Sequence, residues 1–211
     1  MKNNVDYTLY LCTDRELMSS NTIEESVEKA IAGGCTVVQL REKNCSSREF
    51  YELALRVKEV TSGSGVPLII DDRVDIAVAA GADGVHVGQS DLPAAEVRKI
   101  IGEDKIVGVS ASTVGAALKA QQDGADYIGV GAMYATATKT DTRIVSREEL
   151  AAIREAVTIP IVIIGGINKD TVLNFKGMGV DGIAVVSAIV AQSDVELAAR
   201  EMYELACEIK R

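Results

Sequence analysis

The chain has 211 residues, close to half of them apolar, with six Tyr, two Phe and no Trp; a single large core built from Val, Ile, Leu and Ala is expected, and with it one domain over residues 1–211. A formal charge of −9 argues against a nucleic-acid binder, which needs a basic face to displace counterions. Met1 to Asn4 carries no signal pattern and no apolar run approaches membrane-spanning length, so the expectation is a cytoplasmic protein with no membrane partner.

In chain order, short β-branched runs alternate with longer amphipathic stretches, the pattern of parallel strands joined by crossover helices. Strands are predicted near 7–12, 36–40, 67–71, 83–87, 106–110, 126–130, 160–164 and 181–185. Helix-period segments run from Thr22 to Ala32, Ser46 to Thr61, Thr113 to Gln122 and Ser146 to Val157. Several open on Ser or Thr with an acidic residue close behind, which suits an N-cap and a favourable first-turn charge. Eight near-uniform units in this length favour a closed (β/α)8 barrel over an open doubly wound sheet.

Two repeats support that count. GADGVHVG (Gly81 to Gly88), GADYIGVG (Gly124 to Gly131) and GVDGIAVV (Gly179 to Val186) share a helix-ending glycine, an aspartate and a strand. Asp83, Asp126 and Asp181 then stand where strands enter the barrel, the face concerned with stability. At a larger scale, Pro67 to Asp72, a helix and the first string parallel Pro160 to Gly166, a helix and the third.

The strand exits carry the chemistry. After strand 2, alternation along Gln39-Leu40-Arg41-Glu42-Lys43 puts Gln39, Arg41 and Lys43 on one side, two cations and an amide able to grip a diphosphate and a heterocycle, or else a solvated charged turn. After strand 3 come Asp71-Asp72-Arg73, and after strand 4 Gly88 to Pro93 with Asp91. Either Asp72 or Asp91 alone can be a helix cap; on neighbouring strands the two can face one point and, with phosphate oxygens and water, hold magnesium. Ser110 ends strand 5, a hydroxyl able to donate to phosphate. Strand 6 opens the longest irregular stretch, Gly131 to Val145, whose Thr136-Ala137-Thr138-Lys139 suits an anion-binding lid or a mobile surface loop. Strands 7 and 8 lead to Gly165-Gly166-Ile167-Asn168 and Val186-Ser187-Ala188-Ile189, matched exits that let a phosphate approach backbone N–H groups at a helix start. One anion site with metal and cations, and another of neutral backbone, fit a transferase joining a diphosphate to a monophosphate.

Cys12, Cys35, Cys45 and Cys207 have no C-x-x-C spacing, and with one histidine, His86, they leave zinc without a ligand set and read as reduced structural thiols. His86 reads as a packed or hydrogen-bonded strand residue rather than a general base.

Taken in order, QLREK (Gln39 to Lys43), the D-D-R after strand 3, GVHVGQSD (Gly84 to Asp91), GVS (Gly108 to Ser110), TATK (Thr136 to Lys139), GGIN (Gly165 to Asn168) and VVSAI (Val185 to Ile189) resemble the thiamine-phosphate synthase family over nearly the whole chain. That resemblance implies that Gln39, Leu40, Arg41, Glu42, Lys43, Asp71, Ser110 and Lys139 meet a hydroxymethylpyrimidine diphosphate, with Arg41, Ser110 and Lys139 catalytic. It implies that Thr136, Ala137, Thr138, Gly166, Val186 and Ser187 bind a thiazole phosphate, and that Asp72 and Asp91 are magnesium ligands. The reaction it implies is a dissociative displacement: the cations stabilise departing diphosphate, a pyrimidine carbocation forms and the thiazole nitrogen captures it. Such a path asks for charge stabilisation and positioning rather than a general base. The chain departs from the family pattern at Asp71, where Asn is common, and at Ala132 and Ala135, where proline is. A related barrel, a thiazole tautomerase, needs no diphosphate site, so Lys43, Asp72, Asp91 and Lys139 favour the synthase; a non-catalytic binder with the same pockets stays open, as does the oligomeric state.

Overall fold

A computed structural model describes residues 4–135 and 143–210. Eight parallel strands, β1 (Leu9–Cys12), β2 (Val37–Leu40), β3 (Leu68–Asp71), β4 (Gly84–Val87), β5 (Ile106–Ala111), β6 (Tyr127–Val130), β7 (Ile161–Ile164) and β8 (Gly182–Val185), pair in sequence order, and β8 closes on β1. The sequence-based strands overlap all eight, and the expected (β/α)8 barrel is the fold.

Around it lie α1 (Ile23–Ala32), α2 (Ser47–Gly63), α3 (Val74–Ala79), α4 (Ala94–Ile101), α5 (Val114–Gln122), α6 (Arg147–Ala156), α7 (Ser187–Val190) and α8 (Val195–Ile209). The predicted caps form: Ser46 and Ser146 each accept the N–H three residues on, while Glu49 and Glu149 reach back to the cap N–H at 2.8 and 2.9 Å. Removing such a hydroxyl costs about 1 kcal/mol. The link from β7 to β8 departs from expectation, holding a single 3-10 turn, Val172–Phe175, where a full helix was expected. The Asn168 side chain accepts from the N–H groups of Asp170 and Thr171, which bends the chain locally, and Gly177 and Gly179 at φ 77° and 71° turn it back before a second turn can form.

Alternation along the strands makes two cores. Leu9 and Leu11 face outward into the Val/Ile/Leu/Ala layer under the helices, whereas Tyr10 and Cys12 face the barrel interior with Tyr7, Val37, Ile69, Ile106, Tyr127, Val162 and Ala184. Tyrosines thus fill the barrel centre that composition assigned to aliphatic residues.

The short repeat has a specific physical basis. Asp83 Oδ2 accepts Leu68 N–H at 2.8 Å, and the Asp83 N–H donates to Leu68 O at 2.9 Å. Asp126 makes the same reciprocal pair with Val107, and Asp181 with Ile161. Each carboxylate also meets a cation from the helix before the preceding strand: Lys58 at 2.5 Å, Arg98 at 2.5 Å and Arg154 at 3.2 Å. Thr36 does the equivalent work on Leu9 with its hydroxyl. One such clamp therefore joins each odd strand to the next even one, at the strand entries, as the sequence predicted for these aspartates.

Candidate active site

At the exit of β2, Gln39 is buried in the barrel, while Arg41 and Lys43 turn toward β3: Arg41 Nε lies 3.9 Å and Lys43 Nζ 2.8 Å from Asp71 Oδ2, and Lys43 also bonds Asp72. Arg41 and Lys43 thus meet at Asp71, whereas Gln39 Nε2 donates to the Tyr10 hydroxyl at 3.0 Å inside the barrel. Leu40 is fully buried in the outer core, leaving only its backbone for a ligand. Glu42 pairs with Arg15 at 3.2 Å, and its Oε1 is buried with no hydrogen-bond partner, the kind of acceptor a ligand donor satisfies. A cleft of about 570 Å³ collects Arg41, Glu42, Lys43 and, from the end of β1, Asp14. Asp14 was not expected there; it binds Arg41 at 3.5 Å, and only the barrel closure reveals that proximity.

Neither aspartate of the proposed metal pair is a helix cap. The cap of α3 is Arg73 and that of α4 is Pro93. Asp72 instead sits at φ 60°, the one non-glycine with positive φ among the described residues, held by its N–H on His86 O at 2.8 Å. Such a conformation is tolerated by Asp but costs energy, and it clusters at functional sites. Asp91 Oδ2 closes its loop by accepting Gly88 N–H at 2.7 Å. Both line one surface depression with Arg73 and Asp75. Burial, and then the neighbouring Asp72 charge, push the Asp71 carboxyl up, against the pull of Lys43 and Arg41. Burial draws the Lys43 ammonium down, but its bonds and charges with Asp71 and Asp72 outweigh that and leave it raised.

Ser110 lies half-buried on β5, its Oγ 2.9 Å from His86 Nε2 and its carbonyl accepting Gln89 Nε2 at 2.7 Å. His86 is hydrogen-bonded on both ring nitrogens, Nδ1 to the Tyr127 hydroxyl at 2.9 Å, as its strand position suggested. Thr136, Ala137, Thr138 and Lys139 lie outside the described residues.

At the far rim, the start of the β6 loop is pinned to the β7 exit: Met133 and Tyr134 N–H donate to the carbonyls of Ile164 and Gly165, while Ala132 exchanges backbone bonds with Arg143 and Val145. Gly165 and Gly166 have φ 94° and 67°, and an added Cβ would lie 2.6 Å from Ala132 Cβ or Tyr134 Cβ. Packing against this loop therefore demands glycine at both positions, in addition to any ligand. Val186 caps α7; its carbonyl accepts the N–H groups of Ile189 and Val190 at 3.0 Å each, which leaves those of Ser187 and Ala188 without an acceptor inside the helix. Gly166, Val186 and Ser187 end neighbouring strands, β7 and β8.

The thiol expectation also fits: all four cysteines are free, Cys12 and Cys35 are buried, and burial pushes the Cys35 thiol up to about 12. Among the described residues no helix is long and apolar enough to cross a membrane, and no group of three or more His, Cys, Asp or Glu side chains converges on one point.

The model of the family described as thiamine monophosphate synthase matches residues 9–189. The chain belongs to that family. Its members include a thiamine-phosphate synthase of Clostridium beijerinckii, 63% identical over 96% of this chain and 97% of that protein, and one of Ruminiclostridium cellulolyticum, 61% identical over 97% and 98%. Among solved structures, thiamine phosphate pyrophosphorylase from Pyrococcus furiosus superposes with a TM-score of 0.90 at 40% identity, over 97% of this chain and 98% of that one. The synthase-family resemblance read from the strand-exit motifs thus stands, and the barrel that carries them is the family's barrel.

Proposed function

We propose that this chain is a cytoplasmic transferase that condenses hydroxymethylpyrimidine diphosphate with thiazole phosphate to give thiamine phosphate and diphosphate. What supports the reading is the unlike make-up of two parts of one barrel rim, each suited to a different anion. One is cationic, with Arg41 and Lys43 beside Asp71 and Asp72; the other is neutral backbone at Gly166, Val186 and Ser187.

On the cationic side, a diphosphate offers Arg41 and Lys43 oxygens in exchange for the carboxylates they now hold. Charge-assisted bonds from both then stabilise the leaving group as the methylene C–O bond breaks and its electron pair departs with the diphosphate. Ser110 donates to a phosphate oxygen, and Lys139 is a further cation for the diphosphate. The heterocycle lies against Gln39, Leu40, Glu42 and Asp71. Asp72 and Asp91 fit magnesium, because two carboxylates at one depression leave coordination places for phosphate oxygens and water. When bound, the ion supplies further neutralisation of the diphosphate charge. On the neutral side, Thr136, Ala137, Thr138, Gly166, Val186 and Ser187 hold the thiazole phosphate so that its ring nitrogen faces the methylene carbon, and the C–N bond forms there. No residue is required to remove a proton, and positioning supplies much of the rate.

Two-substrate kinetics test the division. Lys43→Ala is expected to raise KM for the pyrimidine diphosphate by about tenfold or more, the loss of one charge-assisted bond of about 1.5–3 kcal/mol, and to leave KM for the thiazole phosphate unchanged. A rise confined to the thiazole phosphate would overturn the assignment of the two sides.

A further inference from the structure

Five polar side chains form an unbroken hydrogen-bonded chain across the barrel interior. Gln39 Nε2 lies 3.0 Å from the Tyr10 hydroxyl, which lies 2.7 Å from the Tyr127 hydroxyl; that oxygen lies 2.9 Å from His86 Nδ1, and His86 Nε2 lies 2.9 Å from Ser110 Oγ. The chain passes through β2, β1, β6, β4 and β5, and its two ends, Gln39 and Ser110, are the groups the proposed function places on the pyrimidine diphosphate.

Its sense follows from chemistry. An amide nitrogen only donates, so the Tyr10 oxygen accepts from Gln39; that phenol is buried and its one other hydrogen-bond partner among the described residues is Tyr127, so its O–H points on to Tyr127. Tyr127 in turn donates to His86 Nδ1. The imidazole then carries its proton on Nε2 and donates to Ser110, whose oxygen is occupied as an acceptor and whose O–H is left to point elsewhere. Burial pushes both phenols well above the usual range, so these hydroxyl protons stay in place.

The barrel is shaped around this chain. An added Cβ at Gly108 would lie 2.2 Å from Tyr127 Cζ, and one at Gly129 3.2 Å from His86 Cε1. The repeat shows the same exchange: GADGVHVG has glycine and histidine where GADYIGVG has tyrosine and glycine, so a large residue on one strand answers a small one on another.

We infer that Tyr10, Tyr127 and His86 are positioning residues that fix the polarity of Ser110, making its hydroxyl an obligatory donor toward the diphosphate while orienting the Gln39 amide from the same chain. The inference rests on the proposed roles of Gln39 and Ser110 as substrate ligands.

Because the chain has one histidine, imidazole nitrogen resonances of the uniformly 15N-labelled resting protein report its tautomer without overlap. The expected result is neutral His86 protonated on Nε2. Tyr127→Phe, which keeps the ring packed, should release that preference into a mixture of tautomers and lower kcat roughly tenfold, as expected for loss of a donor of about 1–1.5 kcal/mol, with KM for thiazole phosphate unchanged. A wild-type Nδ1–H tautomer would reverse the whole chain and overturn the inference, and so would an Nε2–H preference that survives Tyr127→Phe. The spectrum needs no turnover, so failure of the synthase reading itself would leave the tautomer as predicted and show only in the absence of product.

Discussion

Asp71 stands where the resemblance to the synthase family leads one to expect asparagine. It brings a second carboxylate to Lys43, already bonded to Asp72, and burial and its neighbour's charge push its own carboxyl up. Lys43 is thereby held between two anions before any diphosphate arrives. Asp71→Asn removes one of them, and the expected outcome is an apparent KM for the pyrimidine diphosphate lowered by about fivefold, or about 1 kcal/mol for this partly exposed pair. A raised KM in steady-state assays would instead make the Asp71 charge itself a substrate contact. At this scale the sequence was legible wherever a residue type has few structural uses. Adjacent carboxylates and cations at a strand exit could be read directly, whereas Asp14 and the partnerless oxygen of Glu42 depend on where the β1 and β2 loops meet. Tyr10 and Tyr127 were passed over because apolar composition gives no sign that phenols will face inward together.

The elements owe their placement to the strand-entry clamps. Of these, the one at Asp126 is the most buried: Arg98, only 8% exposed, binds the carboxylate and also donates to the carbonyls of Gly102, Lys105 and Gly124. Arg98→Ala removes the guanidinium from a buried carboxylate and three carbonyls, and is expected to cost about 3–5 kcal/mol, or a fall in Tm of roughly 10 °C for a chain of this size. Calorimetry should record that loss while KM for both substrates in the folded protein is unaltered; a KM change would tie the entry face to the site. The GxD repeat placed three of these aspartates at the strand entries, since glycine and aspartate recur at one offset before β4, β6 and β8; the clamp hydrogen bonds themselves and Thr36 were not read from it. The same style of reading failed between β7 and β8, where a helix was expected by analogy with the β3–β4 unit. There the Asn168 turn and two glycines at positive φ outweigh the periodic pattern.

For the molecule as a whole, closure in sequence order brings the exits of β2 to β5 to one arc of the rim and those of β7 and β8 to another. This explains why strand-by-strand reading could place its candidate residues on the rim: in a barrel of uniform units, order along the chain is order around the ring. It did not locate the polar chain through the barrel centre, because those contacts cross between strands distant in sequence. Nor could it separate the packing need for Gly165 and Gly166 from the phosphate role expected of this exit, since one residue type answers both. The central claim is that the two arcs hold two different phosphorylated substrates for one transfer. The direct test is to incubate the purified protein with hydroxymethylpyrimidine diphosphate, thiazole phosphate and magnesium, and to quantify products. Thiamine phosphate and diphosphate in equal amounts are predicted, whereas intact binding of both substrates without either product would contradict the claim.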